Sequence, residues 1–232
     1  MKGKLIVVEG TDCSGKETQT RLLVDRLNNE NIKAKRISFP MYDTPTGKII
    51  GACLLGKPDM CNELLKSNHS FFPEGGGNLD SLAASALYAA DRRYNLPLIK
   101  KYLEEGYILL VDRYVTSNMA HRGGMIEDKS ERMKFYEKLE KLEYDILELP
   151  RPDMTLLLYL PYKYACELKK NRKELPDEVE LDVNYLNRGE EAYLELADIY
   201  DYEIVDCVYN DKIRTIENIN EEVYNKVKKL VR

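Results

Sequence analysis

The chain is short of the residues that build metal centres and disulfide frameworks. It has two histidines, His69 and His121, and five cysteines, an odd number with no CxxC pair among them. A structural zinc site or a disulfide scaffold is therefore not expected, and a reducing, cytoplasmic setting is. No apolar run approaches the ~20 residues that span a membrane. The first such run, residues 5–8, is too short for the core of a signal peptide. Positive charge is not in excess either. The net charge of −5 at pH 7 argues against non-specific nucleic-acid binding, so an anionic ligand must be met by locally clustered Lys and Arg. Internal repeats and low-complexity tracts are absent.

What is present is a sizeable core. Hydrophobic residues make up 44% of 232 positions, and that length suits one α/β domain over 1–232. Short apolar runs at 5–8, 107–111, 154–158 and 203–205, with a weaker one at 33–37, read as strands buried on both faces of a parallel sheet. Helical patterning falls between them, at 18–29, 79–105, 130–147, 162–173, 183–201 and 211–231. Pro97 is expected to kink or interrupt the second of these. Strands alternating with helices imply a doubly wound sheet of about five parallel strands with helices on both faces. Residues 56–78, with Pro58, Pro73 and the run EGGGN, read as a surface loop.

The first strand runs into VVEGTDCSGKETQT. Gly10 to Lys16 have the spacing G-x-x-x-x-G-K, placed after a strand and opening a helix, which is the context of a P-loop NTPase. Successive backbone N–H groups and the helix dipole cradle phosphate there, and Lys16 reaches the β/γ-phosphates. The residues expected to hold ATP are Gly10, Thr11, Asp12, Cys13, Ser14, Gly15, Lys16, Glu17 and Thr18. One letter departs from the pattern. Glu17 stands where a Ser or Thr hydroxyl usually binds Mg²⁺, and Thr18 is too far round the helix to replace it directly. Glu17 and Asp112, the carboxylate ending the strand YILLVD, are the candidates to hold the ion, through water.

From here the chain resembles a family. EGTDCSGKETQ, the Phe39-Pro40 pair, LYAADRR (87–93), DRYVTSNMAHRGG (112–124), RPDMTLLLYLP (151–161) and AYLELAD (192–198) occur in the order seen in thymidylate (dTMP) kinases, over nearly the whole chain. The resemblance implies phosphorylation of dTMP to dTDP by Mg-ATP in dTTP biosynthesis, by a homodimer. It implies that Asp12 bonds the deoxyribose 3′-hydroxyl, that Tyr88 stacks on thymine, that Arg92 bonds a thymine carbonyl, and that Ser117 lies near the base. Tyr88 and Arg92, at i and i+4, share one helix face. Arg113, at the edge of the sheet where ligands of open α/β folds collect, is assigned to the acceptor phosphate. Phe39, Pro40, Tyr42, His121 and Arg122 complete the substrate set, and the Phe39-Pro40 bond is often cis in this family. Adenine is expected near the turn at 205–212.

Three departures qualify the resemblance. Tyr42 stands where many members have a phosphate-binding Arg. His121-Arg122 replace a stretch that often carries a thymine-reading Gln, and Arg has no acceptor for the thymine N3–H. Cys13 occupies a loop slot that is basic in some members. The catalytic charge is then expected from a basic lid at about 167–180, within ELKKNRKELPDE, with Arg172 first and Lys169 second. Catalysis is assigned to Lys16, Asp12, Arg113, Arg172 and Lys169. Two alternatives stay open: a P-loop kinase of another deoxynucleoside or monophosphate, and a nucleotide sensor without turnover.

Overall fold

A computed structural model of the chain describes residues 2–11, 13–57, 60, 72, 78–169 and 183–231, without the side chains of Lys169, Val183 and Tyr185. Strands β1 (Lys4–Gly10), β2 (Ala34–Ser38), β3 (Ile108–Asp112), β4 (Met154–Tyr159) and β5 (Glu203–Asp206) pair parallel in the order β2-β3-β1-β4-β5. Successive residues of a strand point to opposite faces. Leu5 and Val7 accordingly enter one core, and Ile6 and Val8 the other. Burial on both faces is why the central strands β1, β3 and β4 read as unbroken apolar runs, while the edge strands β2 and β5 are partly exposed.

In chain order the helices are α1 (Lys16–Asn29), α2 (Pro45–Cys53), α3 (Ser81–Tyr94), α4 (Leu96–Glu104), α5 (Val115–Asn118), α6 (Lys129–Glu140), α7 (Tyr162–Lys169), α8 (Val183–Ile199) and α9 (Ile216–Val231). Helix α5 runs on as a π-helical turn, Met119–Gly123, and α6 as another, Lys141–Ile146. Leu23 and Leu27 of α1 with Ile219, Val223 and Val227 of α9 cover one face of the sheet. Ile99 of α4, Val115 of α5, Leu139 of α6 and Leu196 of α8 cover the other. Helices α2 and α3 build a smaller cluster from Ile50, Leu54, Leu55 and Ala84.

The topology places the site. The chain leaves β1 through α1 on one face to reach β2, and leaves β3 through α5 and α6 on the other face to reach β4. The two paths diverge between neighbouring strands, and a crevice opens at the carboxyl ends of β1 and β3.

The interruption expected at Pro97 within 79–105 is present, and three other expectations need correcting. Asn95 ends the first helix of that stretch, its side-chain amide donating to the carbonyl of Asp91, 2.9 Å away. Pro97 then sits in the first turn of the second, where its missing N–H costs nothing. Helix α2 had no counterpart in the sequence reading, although Thr44 caps it and Pro45 opens it. Its Gly-containing, weakly periodic sequence hid it. The expected helix at 211–231 starts five residues late. Asn210 and Asp211, both at positive φ, first turn a two-residue hairpin between β6 (Val208–Tyr209) and β7 (Lys212–Ile213). The expected helix at 130–147 loosens into the π-turn after Glu140. Most of the 56–78 loop and the basic lid lie outside the described residues, and no helix among those described is long and apolar enough to cross a membrane.

Leu109, the second residue of β3, is fully buried. Leu109→Ala should cost about 2–5 kcal/mol of stability in a denaturant titration; a loss below about 1 kcal/mol would contradict this packing.

Candidate active site

The phosphate loop is a backbone device. Cys13 and Gly15 both adopt left-handed conformations, with φ of 59° and 81°, so amides of the turn gather in an anion nest ahead of α1. A Cβ on Gly10 would lie 2.6 Å from the Leu158 carbonyl and 2.6 Å from Ser14 Oγ, so only glycine lets the loop pass β4 this closely. Thr11 fastens the loop to the end of β4: its hydroxyl donates to the Leu160 carbonyl at 2.6 Å and accepts from the Leu160 amide at 3.1 Å. Lys16, 8% exposed, lays its ammonium on the carbonyls of Gly10 and Thr11 at 2.9 and 3.0 Å. The buried Ser14 hydroxyl has no hydrogen-bond partner among the described residues. A buried hydroxyl without a partner costs free energy, so it marks a place where a ligand atom belongs. Behind the loop, Cys207 approaches Ser14, with its Sγ 3.8 Å from the Ser14 carbonyl. The turn after β5 therefore backs directly onto the loop.

Across the crevice, Arg113 follows β3 with φ of 66°. A non-glycine residue in that region costs about 1–2 kcal/mol, so its neighbours must hold it. Its amide donates to the Val8 carbonyl at 3.2 Å, and the next amide, of Tyr114, donates to Glu9 Oε1 at 2.8 Å. The guanidinium Nη1 then donates to His121 Nε2 at 3.0 Å. Since Arg can only donate, this contact uses the His121 lone pair and puts the imidazole proton on Nδ1. His121 stands edge-on to Tyr193, and the Ser117 hydroxyl donates to Glu9 Oε2 at 2.6 Å.

The third part of the crevice is built on α3. Asp91, buried, accepts from the Met41 amide at 2.9 Å and from the Thr46 hydroxyl at 2.6 Å, pinning the loop that follows the cis Phe39-Pro40 peptide. Phe39 itself is a core residue, packed against Tyr114. Tyr42 and Tyr88 each pack against the α2–α3 cluster, with Lys57 over the Tyr42 ring. Arg92 is 2% exposed and forks onto Glu143 through Nε at 2.5 Å and Nη2 at 2.6 Å. Burial opposes its charge, but the charge and hydrogen bonds of Glu143 more than offset this, and its pKa lies above the ordinary arginine value. Nη1 makes no hydrogen bond among the described residues. Asn118 donates both amide hydrogens, to the Ser85 carbonyl at 3.2 Å and to Glu143 Oε1 at 2.9 Å, which leaves its side-chain oxygen to accept. Arg122 is buried on the first π-turn.

The two expected metal carboxylates have different neighbours. Asp112 is 6% exposed and accepts from Arg36 Nη2 at 2.7 Å, while Arg36 Nε donates to Thr20 at 2.8 Å. Glu17 and Thr18 are exposed on the first turn of α1, and Glu17 faces Arg21 at 3.7 Å. Among the described residues no cluster of three or more His, Cys, Asp or Glu forms a ready metal centre. The hard oxygen of Asp112, in register with Val8 just before the loop, does suit a water of a magnesium ion whose other ligands come from phosphate. Asp12, Arg172 and the Lys169 side chain lie outside the described residues.

The family model for thymidylate kinase matches residues 8–221. The chain belongs to the thymidylate kinase family. The thymidylate kinase of Plasmodium falciparum is 30% identical over 230 residues, covering 99% of this chain and 91% of that protein. A probable thymidylate kinase of Thermococcus kodakarensis is 30% identical over 227 residues, covering 92% and 97%. The solved thymidylate kinase of Candida albicans matches with a TM-score of 0.70 at 27% identity, covering 98% of this chain and 92% of that one. The chain is accordingly a nucleotide-binding phosphotransferase, and its sheet is that of the P-loop kinases.

Four residues of this thymidylate kinase escaped the sequence reading: Glu9, Arg36, Asn118 and Glu143. Glu9 stood beside the phosphate-loop motif, and Asn118 inside the DRYVTSN stretch, so both were within view. Nothing local marks Arg36 or Glu143, whose partners are 76 and 51 residues away. Glu143→Gln should destabilise the fold by about 3–5 kcal/mol, because Arg92 would be left buried beside a neutral amide. Urea unfolding measures this, and an unchanged midpoint would show that the pair is dispensable.

Proposed function

We propose that the enzyme transfers the γ-phosphoryl group of Mg-ATP to the phosphate of dTMP, yielding dTDP for dTTP synthesis. One observation carries the reading: two phosphate-grade sites, the Lys16 loop and the Arg113 turn, leave adjacent strands at the same sheet edge. In this account residues 10–18 wrap the ATP phosphates. Lys16 moves from two carbonyls to the β/γ oxygens, and Ser14 gains its missing partner. Arg113 takes the acceptor phosphate bidentately. A phosphate acceptor is already ionised and needs no general base. That agrees with Glu9, the buried carboxylate of the crevice, whose oxygens are filled by protein donors. Asp112 and Glu17, through water, are the carboxylates that would hold magnesium, which would supply positive charge to the transferring phosphates. Arg172 and Lys169 supply the remaining positive charge from the lid.

At the other end Tyr88 stacks on the base, with Pro40 and Tyr42 beside it and Phe39 behind them in the core, and Asp12 bonds the sugar 3′-hydroxyl. Arg92 offers Nη1 to a carbonyl. Asn118 supplies the acceptor for N3–H that Arg122 lacks, next to Ser117 and His121. A second monophosphate substrate remains the competing reading because of that buried Arg122. The hairpin turn at 205–212, backed onto Ser14, is where adenine rests. The single kinase domain works in the cytoplasm as a homodimer. The exposed stripe of Leu82, Ala86, Ala90 and Tyr94 along α3 supports the pairing face.

A coupled ADP-release assay across nucleosides and nucleoside monophosphates tests this. Turnover with dTMP well above all others is expected. Turnover with nucleosides alone, or ATP binding without ADP release, contradicts it. Arg172→Ala should lower kcat by about 100-fold or more while KM for dTMP changes little; steady-state kinetics with unchanged kcat would remove Arg172 from the mechanism.

A further inference from the structure

Glu9 is fully buried at the end of β1, immediately before the phosphate loop. Its side chain points to the face where α5 and α8 pack, on the same side of the strand as Leu5 and Val7. Four donors converge on it. Oε1 accepts from the Tyr114 amide at 2.8 Å and the Thr116 hydroxyl at 2.6 Å, and Oε2 from the Ser117 hydroxyl at 2.6 Å and the Tyr193 hydroxyl at 3.0 Å. Burial first, and the Glu9 charge next, hold the Tyr193 phenol well above its ordinary pKa, so it stays a donor. A buried carboxylate is costly unless its lone pairs are filled. Here every filler is a segment that frames the acceptor crevice: the turn carrying Arg113, the start of α5, and the helix α8.

We infer that Glu9 is a positioning residue for the acceptor nucleotide, fixing the strained Arg113 turn and the Ser117 hydroxyl through these four bonds; the inference rests on the assignment of Arg113 to the acceptor phosphate. The Tyr114 amide bond is the decisive one. It holds the peptide directly after Arg113 and so stabilises the left-handed backbone that aims the guanidinium at the crevice. The Ser117 oxygen also lies 3.2 Å from the Tyr193 hydroxyl, so Glu9 holds the two hydroxyls side by side. Glutamine replaces Glu9 only in part: its NH₂ group can be met at the Oε2 position only if the Ser117 and Tyr193 hydroxyls both turn to accept, and the negative charge is lost.

The test is steady-state kinetics on Glu9→Gln, Arg113→Lys and the double variant, varying dTMP and ATP separately. Misplacing a positioning group by about 1 Å costs on the order of 100-fold in rate. Glu9→Gln should therefore raise KM for dTMP or lower kcat/KM for dTMP by about 10-fold or more, with KM for ATP within about 3-fold of wild type. The double variant should be no worse than Arg113→Lys within about 3-fold, because both act on one contact. Equal loss for both nucleotides, or effects that multiply, would overturn the inference. A defective Arg113→Lys beside a wild-type-like Glu9→Gln overturns it alone. An Arg113→Lys enzyme with wild-type dTMP kinetics overturns the Arg113 assignment as well. Should Glu9→Gln not fold, Thr116→Val, which deletes one donor to Oε1, carries the same readout. A selective rise of about 3-fold or more in KM for dTMP supports the inference, and unchanged kinetics oppose it.

Discussion

Parallel pairing of β1 with β3 sets Val8 beside Asp112, so the phosphate loop and the Arg113 turn leave the sheet one strand spacing apart, about 4.8 Å. Everything functional in the molecule follows from that juxtaposition. In the proposed reaction a donor phosphate in the loop and an acceptor phosphate on Arg113 would be brought together by the ladder itself, before any side chain is chosen. The cores on both faces keep the strands from shifting, since a one-residue slip would turn Leu5 and Val7 into the core that Ile6 and Val8 now fill. Glu9 and Thr11 then tie the loop sideways, to the α5–α8 face and to β4.

Charge is placed with the same economy. Arginines and carboxylates of the crevice pair with one another at 2.5–2.7 Å: Arg92 with Glu143, and Arg36 with Asp112. Buried pairs of this kind add little net stability over apolar packing, and are best understood as fixing geometry. Arg92 is thereby held with one nitrogen left over, and Asn118 with one oxygen. A donor and an acceptor of that kind are what a pyrimidine edge presenting a carbonyl and an N–H requires. On β4, Tyr159 reaches Glu190 of α8 at 2.9 Å, and burial together with that contact pushes its phenol up to about 12.

Much of this was legible in the sequence. The five strands fall within one or two residues of the apolar runs, most clearly the central β1, β3 and β4, which are buried on both faces. The phosphate loop was readable because its glycines answer to backbone geometry that tolerates little else. What stayed hidden depends on distant partners. Glu143 turns inward only because α6 loosens into a π-turn, and no helical periodicity predicts that rotation. Glu9 looks like a flaw in an apolar strand until Tyr114, Thr116, Ser117 and Tyr193 are seen around it. Arg36 reaches Asp112 diagonally across the ladder, two residues beyond its register partner Leu110. The hairpin at 208–213 was missed for a different reason: its Asn-Asp turn was written in the sequence, but the amphipathic helix behind it dominated the pattern.

The most direct measurement is a crystal structure of the enzyme with dTMP and a non-hydrolysable ATP analogue. The account predicts the acceptor phosphate on the Arg113 guanidinium, the thymine ring against Tyr88 with its edge on Arg92 and Asn118, and the triphosphate in the loop on Lys16 and Ser14. A thymine ring bound away from Tyr88, Arg92 and Asn118, or an acceptor phosphate that does not touch Arg113, would contradict it.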